Sequence, residues 1–364
     1  MKTETLTYSF VPQEGGMAEY HLLIKASPSL LFEEQLDAIL EASREASREA
    51  SRGRSVHFRR FFLSDAANQA PLLEKALETM PGVPTSVVQQ APLDGSKIAL
   101  WLYCTSPMEN GSHNGYTHCW EGSMVSDGTD SHAQMSGIFG ELDARLDARG
   151  LSVAQNTVRT WIFVRDVDVN YGGVVSGRRE YFGRIGLTPS THFIASTGIE
   201  GRHPRHKNLV EMDAYSIGGL KDGQVSYLYA LDHLSPTYDY GVTFERGSMV
   251  QYGDRRHIFI SGTASIDARG EVMHVGDVQA QTGRMLENIS ALLKEADAGF
   301  QDIAMAIVYL RDIADAPRVK AIISQRCPSL HALYVLGPVC RPAWLVEMEC
   351  IALTPAGDAR YPKF

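Results

Sequence analysis

A unit of roughly a hundred residues recurs three times along the chain, and internal repetition constrains a fold more tightly than any local signal. Three short apolar strands each end in aspartate: "HFRRFFLSD" to Asp65, "VRTWIFVRD" to Asp166 and "IVYLRD" to Asp312. Each follows a segment with the i, i+3, i+4 apolar spacing of an amphipathic helix, "LLFEEQLDAILEAS", "SGIFGELDARLDARG" and "GRMLENISALLKEADAG". Beyond each aspartate comes a last apolar strand, "KIALWLYC", "NLVEMDAY" and "WLVEMECIAL", of which the second and third are nearly the same string. Spacing aligns Glu211 with Glu347 and puts Leu100 at that place in the first copy, which therefore lacks the acid.

The repeat predicts three units: a degenerate one over residues 1–110, a middle one over 116–220 and a C-terminal one over 240–354. The 364 residues are enough for that many cores of ordinary domain size. Turn-forming residues in "TSPMENGSHNG" mark the first boundary, with a strand over Thr117–Met124 opening the second unit, and "GGLKDGQ" reads as a hairpin turn leading to "VSYLYAL". The biased run "SREASREASRG" reads as a solvated helix extension before Gly53. Each unit mixes a small sheet with two helices on one face, so the expected fold class is α+β.

The totals exclude several functions. Hydrophobic content of 44% with 21% charged residues is ordinary for a globular protein, and no apolar run approaches a membrane span. The opening "MKTETLTYSF" has no signal-peptide core, and the chain is expected in the cytoplasm. A formal charge of −9 leaves no electrostatic footprint for a nucleic-acid partner. Five cysteines without a C-x-x-C pair argue for reduced thiols, and no metal or cofactor is expected. His203 and His206, separated by Pro204 among other residues, have no third ligand in view.

Chemistry concentrates in "VCRPAWLVEMEC". Strand alternation places Glu347 and Glu349 on one face, and Arg341 precedes them in a loop or strand end, where a guanidinium suits a carboxylate ligand. Arg159 shares a strand face with Trp161 and Phe163. Arg178, Arg179 and Arg184 read as the solvated face of a helix. Cys340 beside Arg341 is a candidate for a lowered thiol pKa, without a paired histidine to make it a nucleophile.

"FISGTASID", "GDVQAQTGRMLENISALLKEA", "VYLRD" and "CRPAWLVEMECIA" resemble the Rid (YjgF) family across residues 243–354. That resemblance implies a trimer of barrel-like α+β units with sites between neighbours, and hence an intramolecular pseudo-trimer here, monomeric or in a higher homo-oligomer. "VRTW", "REYFGR", "ASTGI", "SPTY" and "SGTAS" extend the resemblance over the whole chain to the chorismatases within that superfamily. It implies a small carboxylate substrate, Glu347 as proton donor, and Arg341 and Arg159 as carboxylate clamps. Tyr181, Cys340, Gly262 and Thr263 complete the substrate-binding set, with Glu211 in a second possible site. The chain departs from the chorismatase pattern before "SPT", where those enzymes carry an arginine and this chain has Leu234; Arg246 is the candidate replacement. The alternatives are a Rid-type enamine or imine deaminase and a non-catalytic small-acid-binding protein. The ribonuclease and translation-inhibitor labels of the family find no support in the acidic composition.

Overall fold

The computed structural model describes residues 2–12, 16–48, 53–108 and 111–364. The first sheet is built from β1 (Thr3–Phe10), β2 (Glu19–Ala26), β3 (Ser55–Leu63), β4 (Thr85–Gln89) and β5 (Ile98–Thr105), in the order β1-β2-β5-β3-β4. Helices α1 (Phe32–Arg48) and α2 (Ala66–Leu77) belong to it. The "SREASREASRG" run enters α1 as far as Arg48, and residues 49–52 of it lie outside the described part.

The second sheet runs β6-β7-β10-β8-β9, with β6 (Ser112–His113), β7 (Tyr116–Met124), β8 (Thr157–Val164), β9 (Ala195–Glu200) and β10 (Val210–Gly218). Its helices are α3 (Ser131–Asp147), the single turn α4 (Val153–Asn156) and α5 (Val167–Arg184). The third sheet has six strands, β11-β12-β13-β16-β14-β15: β11 (Val225–Leu228), β12 (Gly247–Gln251), β13 (Arg256–Ala264), β14 (Ile303–Leu310), β15 (Ala332–Leu336) and β16 (Val346–Thr354). Helices α6 (Val278–Glu295) and α7 (Ala316–Arg326) complete it. The "GGLKDGQ" turn corrects one expectation. It joins β10 of the second sheet to β11 of the third, which do not pair, so it is a connection between sheets and not a hairpin.

The same pairing recurs in all three sheets: one parallel pair at an edge (β3/β4, β8/β9, β14/β15), reached through a helix, beside antiparallel neighbours. Local chemistry supports the helices. Asp130 caps α3 by accepting from the Ala133 N–H, and Asp277 caps α6 by accepting from Gln279 and Ala280. The last strands are buried along their whole length, because one face carries helices and the other faces the neighbouring units. Leu100 and Leu102 pack on the helix side of the first sheet, whereas Ala99 and Trp101 join the core shared between units.

The register makes the repeat quantitative. Ile98 pairs with Leu63, Val210 with Val164 and Val346 with Leu310, at the same point of each unit. Glu347 and Glu211 therefore align with Ala99, and Glu349 and Asp213 with Trp101. Leu100 is one residue out of register and faces the helices; the conclusion that the first copy lacks the acid stands on Ala99.

The units close on one another through β4 against β7, β9 against β13 and β2 against β14. Between them lies an aromatic core in which Trp101 and Trp161 rings are 5.8 Å apart and Trp120 stacks on Tyr215 at 4.2 Å. A buried charge pair crosses each junction. Arg60 of the first unit meets Asp213 of the second at 2.7 Å, Arg159 of the second meets Glu349 of the third at 2.7 Å, and Arg255 of the third meets Glu19 of the first at 2.6 Å.

Candidate active site between the second and third units

A cavity of about 330 Å³ opens where α5 and β9 of the second unit meet β13, the segment Tyr240–Arg246 and the Cys340–Trp344 loop of the third. Glu347 enters it from the start of β16 and is 5% exposed. Burial and the neighbouring Glu349 carboxylate push its pKa up to about 8, against partial compensation from Arg246 and Arg159. A carboxyl so placed is protonated at neutral pH and can give up a proton. Gly262, on β13, is required beside it, since any Cβ there would collide with Glu347 Oε1.

Three guanidinium groups, Arg341, Arg246 and Arg179, line the cavity with this acid, and a fourth, Arg178, lies behind its Ser196 wall. Arg341 lies over the Tyr240 and Trp344 rings at 4.9 and 5.2 Å and, among the described residues, has no carboxylate partner. Arg246 is 4% exposed, donates from Nη2 to the Ser235 carbonyl at 2.9 Å and lies over Tyr240 and Phe244. It therefore reaches the "SPT" segment itself. Arg179 lines the cavity and donates to the Gly241 carbonyl.

Arg178 is 2% exposed, reaches Thr243 Oγ1 from Nε at 3.1 Å and Ser196 Oγ from Nη1 at 3.4 Å, lies against the Tyr171 hydroxyl, and has no carboxylate partner among the described residues. Its Nη2 has no partner among the described residues, and burial lowers its pKa. Arg179 and Arg184 are exposed, as the solvated-face reading expects, and Arg178 is its exception: it falls on the buried face of α5 with Val174, Tyr181 and Phe182. The available signal was the seven-residue interval from Tyr171 to Arg178, which puts a cavity-lining tyrosine and this cation on one helix face.

The remaining candidates divide. Cys340 lines the cavity, but burial and Glu347 push its thiol up to about 12, the opposite of an activated nucleophile. Arg159 does not line the cavity. It is 1% exposed, stacks on Trp161 at 4.8 Å, and spends its Nη2 on Thr197 Oγ1 at 2.6 Å and Glu349 Oε2 at 2.7 Å. Tyr181 faces α3, donating to Asp143 Oδ2 at 3.1 Å in the helix core of the second unit. Thr263 is fully buried and donates to the Ser261 carbonyl. His203 accepts from the Arg205 N–H, and His206 pairs with Arg165.

The two counterpart clefts differ from this one. Glu211 is 1% exposed and accepts from the Ser123 hydroxyl, which in turn accepts from the Val87 N–H. Burial and Asp213 hold its pKa well above the ordinary value. At the third junction a cavity of about 180 Å³ is lined by Lys25, Lys320 and Tyr334, while Ala99 stands at the acid position. Pairing two residues before the end of β8, β3 and β14 shows that Gly198, Val87 and Tyr334 are equivalent. Among the described residues, the cleft with glycine there is the one that opens in front of a glutamate.

Residues 247–354 match the family model described as Endoribonuclease L-PSP. Over 97 residues the chain is 32% identical to 3-aminoacrylate deaminase RutC of Acinetobacter baylyi, covering 26% of this chain and 77% of that protein. A RutC family protein of Pyrococcus abyssi is 37% identical over 98 residues, covering 26% of this chain and 76% of its own. The chain belongs to the Rid (YjgF) superfamily. Its full length superposes on a chorismatase crystal structure with a TM-score of 0.66, over 96% of this chain and 98% of that one at 18% identity, so the fold as a whole is the tandem, three-unit form.

Proposed function

We propose that the chain is an enzyme that cleaves the enol-pyruvyl ether of chorismate, or of a related small dicarboxylate, by proton transfer from Glu347. The observation that carries this reading is a buried, neutral carboxyl in a cavity whose other charged side chains are guanidinium groups. Such a cavity attracts an anion and offers it a proton.

Glu347 delivers its proton to the terminal methylene carbon of the enol ether, and the π electrons form the new C–H bond. The resulting oxocarbenium ion is captured at carbon by water, whose proton returns to Glu347. The hemiketal then collapses: its hydroxyl proton passes to the ring oxygen as the bond from that oxygen to carbon breaks, releasing pyruvate and a ring alcohol. We assign the two carboxylates to Arg341, which lines the cavity from the third unit, and to Arg178, which lies behind the lining residue Ser196 in the second; Arg246 stands in the cavity beside Arg341, and the Tyr240, Phe244 and Trp344 rings cover the apolar faces. Arg159, spent on Glu349, is not assigned to substrate. The scheme places one small-molecule reaction in a monomeric ring or its homo-oligomer in the cytoplasm, with no cofactor and no nucleic-acid partner.

The test is pyruvate release from chorismate by the purified chain, with Glu347→Gln and Arg178→Met beside it. Release that vanishes in the first and needs far more substrate in the second supports the assignment. Absence of release from the wild-type chain refutes it. The second reading, hydrolysis of a small enamine or imine, draws on the family match, because the matched segment holds both Arg341 and Glu347. It predicts ammonia release from 3-aminoacrylate that is indifferent to Arg178→Met. A pure binding protein would keep its affinity for the acid in Glu347→Ala with no turnover in any variant.

A further inference from the structure

The buried pair Arg159–Glu349 lies behind Glu347, outside the cavity, and is more elaborately held than a structural ion pair requires. Glu349 Oε2 accepts from Arg159 Nη2 at 2.7 Å and from the Thr197 hydroxyl, while Oε1 accepts from the Tyr309 hydroxyl at 3.0 Å. Arg60 Nη1 stands 3.9 Å from Oε1. Both lone-pair edges of the carboxylate are therefore occupied by groups of all three units. Glu349 is two residues from Glu347 on β16, on the same strand face. The Thr197 hydroxyl that binds Glu349 also accepts from the Gly262 N–H at 2.9 Å, and Gly262 is the residue packed directly on Glu347. One hydroxyl thus couples the carboxylate behind the site to the wall of the site.

We propose that Glu349 is the positioning residue of the proton donor: a carboxylate fixed by Arg159, Thr197 and Tyr309 across the unit boundary, whose negative charge faces Glu347 from behind and keeps the proton there until substrate arrives. This rests on the proton-donor reading of Glu347. The charge of Glu349 is the neighbour that opposes ionisation of Glu347, with Arg159 and Arg246 acting in the other direction. The other titratable groups against Glu347 are Cys340 and Tyr171, both held neutral by burial, and Arg341 at the cavity mouth. Of these only Glu349 carries a negative charge, so its removal has one sign. Glu347 then ionises at lower pH, because a repelling charge is gone and Arg159 is left without its partner.

The experiment is an infrared pH titration of the Glu347 carboxyl in the substrate-free full chain, isolated as the difference from Glu347→Gln. It compares wild type with Glu349→Gln and with the double variant Glu349→Gln/Arg159→Gln, which strands no buried charge and so remains available if the single variant does not fold. The midpoint is expected to fall by at least about one pH unit in the single variant and by less, in the same direction, in the double. A purely structural pair would leave the midpoint where it is in wild type, and that superposition would overturn the proposal. Because this readout needs no substrate, a lowered midpoint in a chain that releases no pyruvate from chorismate would retire the substrate assignment and support this inference.

Discussion

Replacing Arg178 by methionine is expected to make the protein more stable and nearly useless at low substrate concentration. The Arg178 guanidinium is 2% exposed, meets the Thr243, Ser196 and Tyr171 hydroxyls but no carboxylate among the described residues, and leaves Nη2 without a hydrogen-bond partner there. A buried cation without a counter-charge is a cost to folding, and exchange of buried ionic groups for apolar ones of similar volume stabilises proteins by about 1 to 4 kcal/mol. On the proposed function, the substrate carboxylate supplies the missing partner. A charge-assisted hydrogen bond of this kind contributes about 1.5 to 3 kcal/mol, and at roughly 3 kcal/mol its loss weakens binding about 100-fold. The assay pairs a thermal melt without substrate with KM from pyruvate release. Arg178→Met should melt at or above the wild-type temperature while KM rises by about two orders of magnitude and kcat changes far less. A variant that melts several degrees lower with unchanged KM would refute the reasoning, since Arg178 would then be a hydrogen-bonding strut.

The pH behaviour follows from Glu347, whose pKa is raised to about 8. Activity should fall as pH rises through that value. Between the ordinary carboxylate value, 4.5, and about 8 the folded chain binds a proton that the unfolded chain has lost, so stability declines with rising pH across that window and levels off above it. Glu347→Gln removes this dependence and should melt higher than wild type at pH 8.5, read by scanning calorimetry. Gly262→Ala should lower kcat at least about tenfold through the collision with Glu347, measured against an unchanged fold by circular dichroism. Arg60→Met alone, leaving Asp213 buried without its cation, should cost about 3 to 5 kcal/mol in denaturant unfolding, and Arg60→Met/Asp213→Leu should recover much of it.

Much of the architecture is legible from repetition alone, since helix spacing and strand alternation are local properties of the chain. Leu100 shows where that ends. The connection from Asp65 to the last strand is one residue shorter than that from Asp312, which counting from the aspartates cannot see, and in a strand one residue exchanges the two faces. Arg159 makes the same point at the site. Its place beside Trp161 on an inward face follows from alternation, but its partner, Glu349, lies 190 residues away across a unit boundary. Whether such a cation meets a substrate or a carboxylate of the neighbouring unit is decided by how units dock. Arg178 was obscured for a related reason. The buried face of α5 includes Gly177 and Arg178 among its apolar residues, so it has no continuous apolar stripe to identify it.

Three similar units in one chain could close in more than one arrangement, and the buried charges discriminate among these. Each junction buries a cation from one unit against an acid of the next, Arg60 with Asp213, Arg159 with Glu349 and Arg255 with Glu19, and any other order would strand charges at a cost of several kcal/mol apiece. Tandem fusion then allows the junctions to diverge, which identical subunits cannot do. The first unit gave up both acids, and Trp101 fills the place of Asp213 and Glu349 with aromatic packing against Trp120 and Trp161. The first junction kept its glutamate but set Ser123 on it. The third kept a cleft but filled the Gly198 position with Tyr334. The second junction alone combines glycine, glutamate and unneutralised guanidinium groups. On this argument Glu211 is a protonated structural acid, and Glu211→Gln leaves turnover within about twofold of wild type; a loss comparable to that of Glu347→Gln would show that two clefts work and that the Ser123 contact opens.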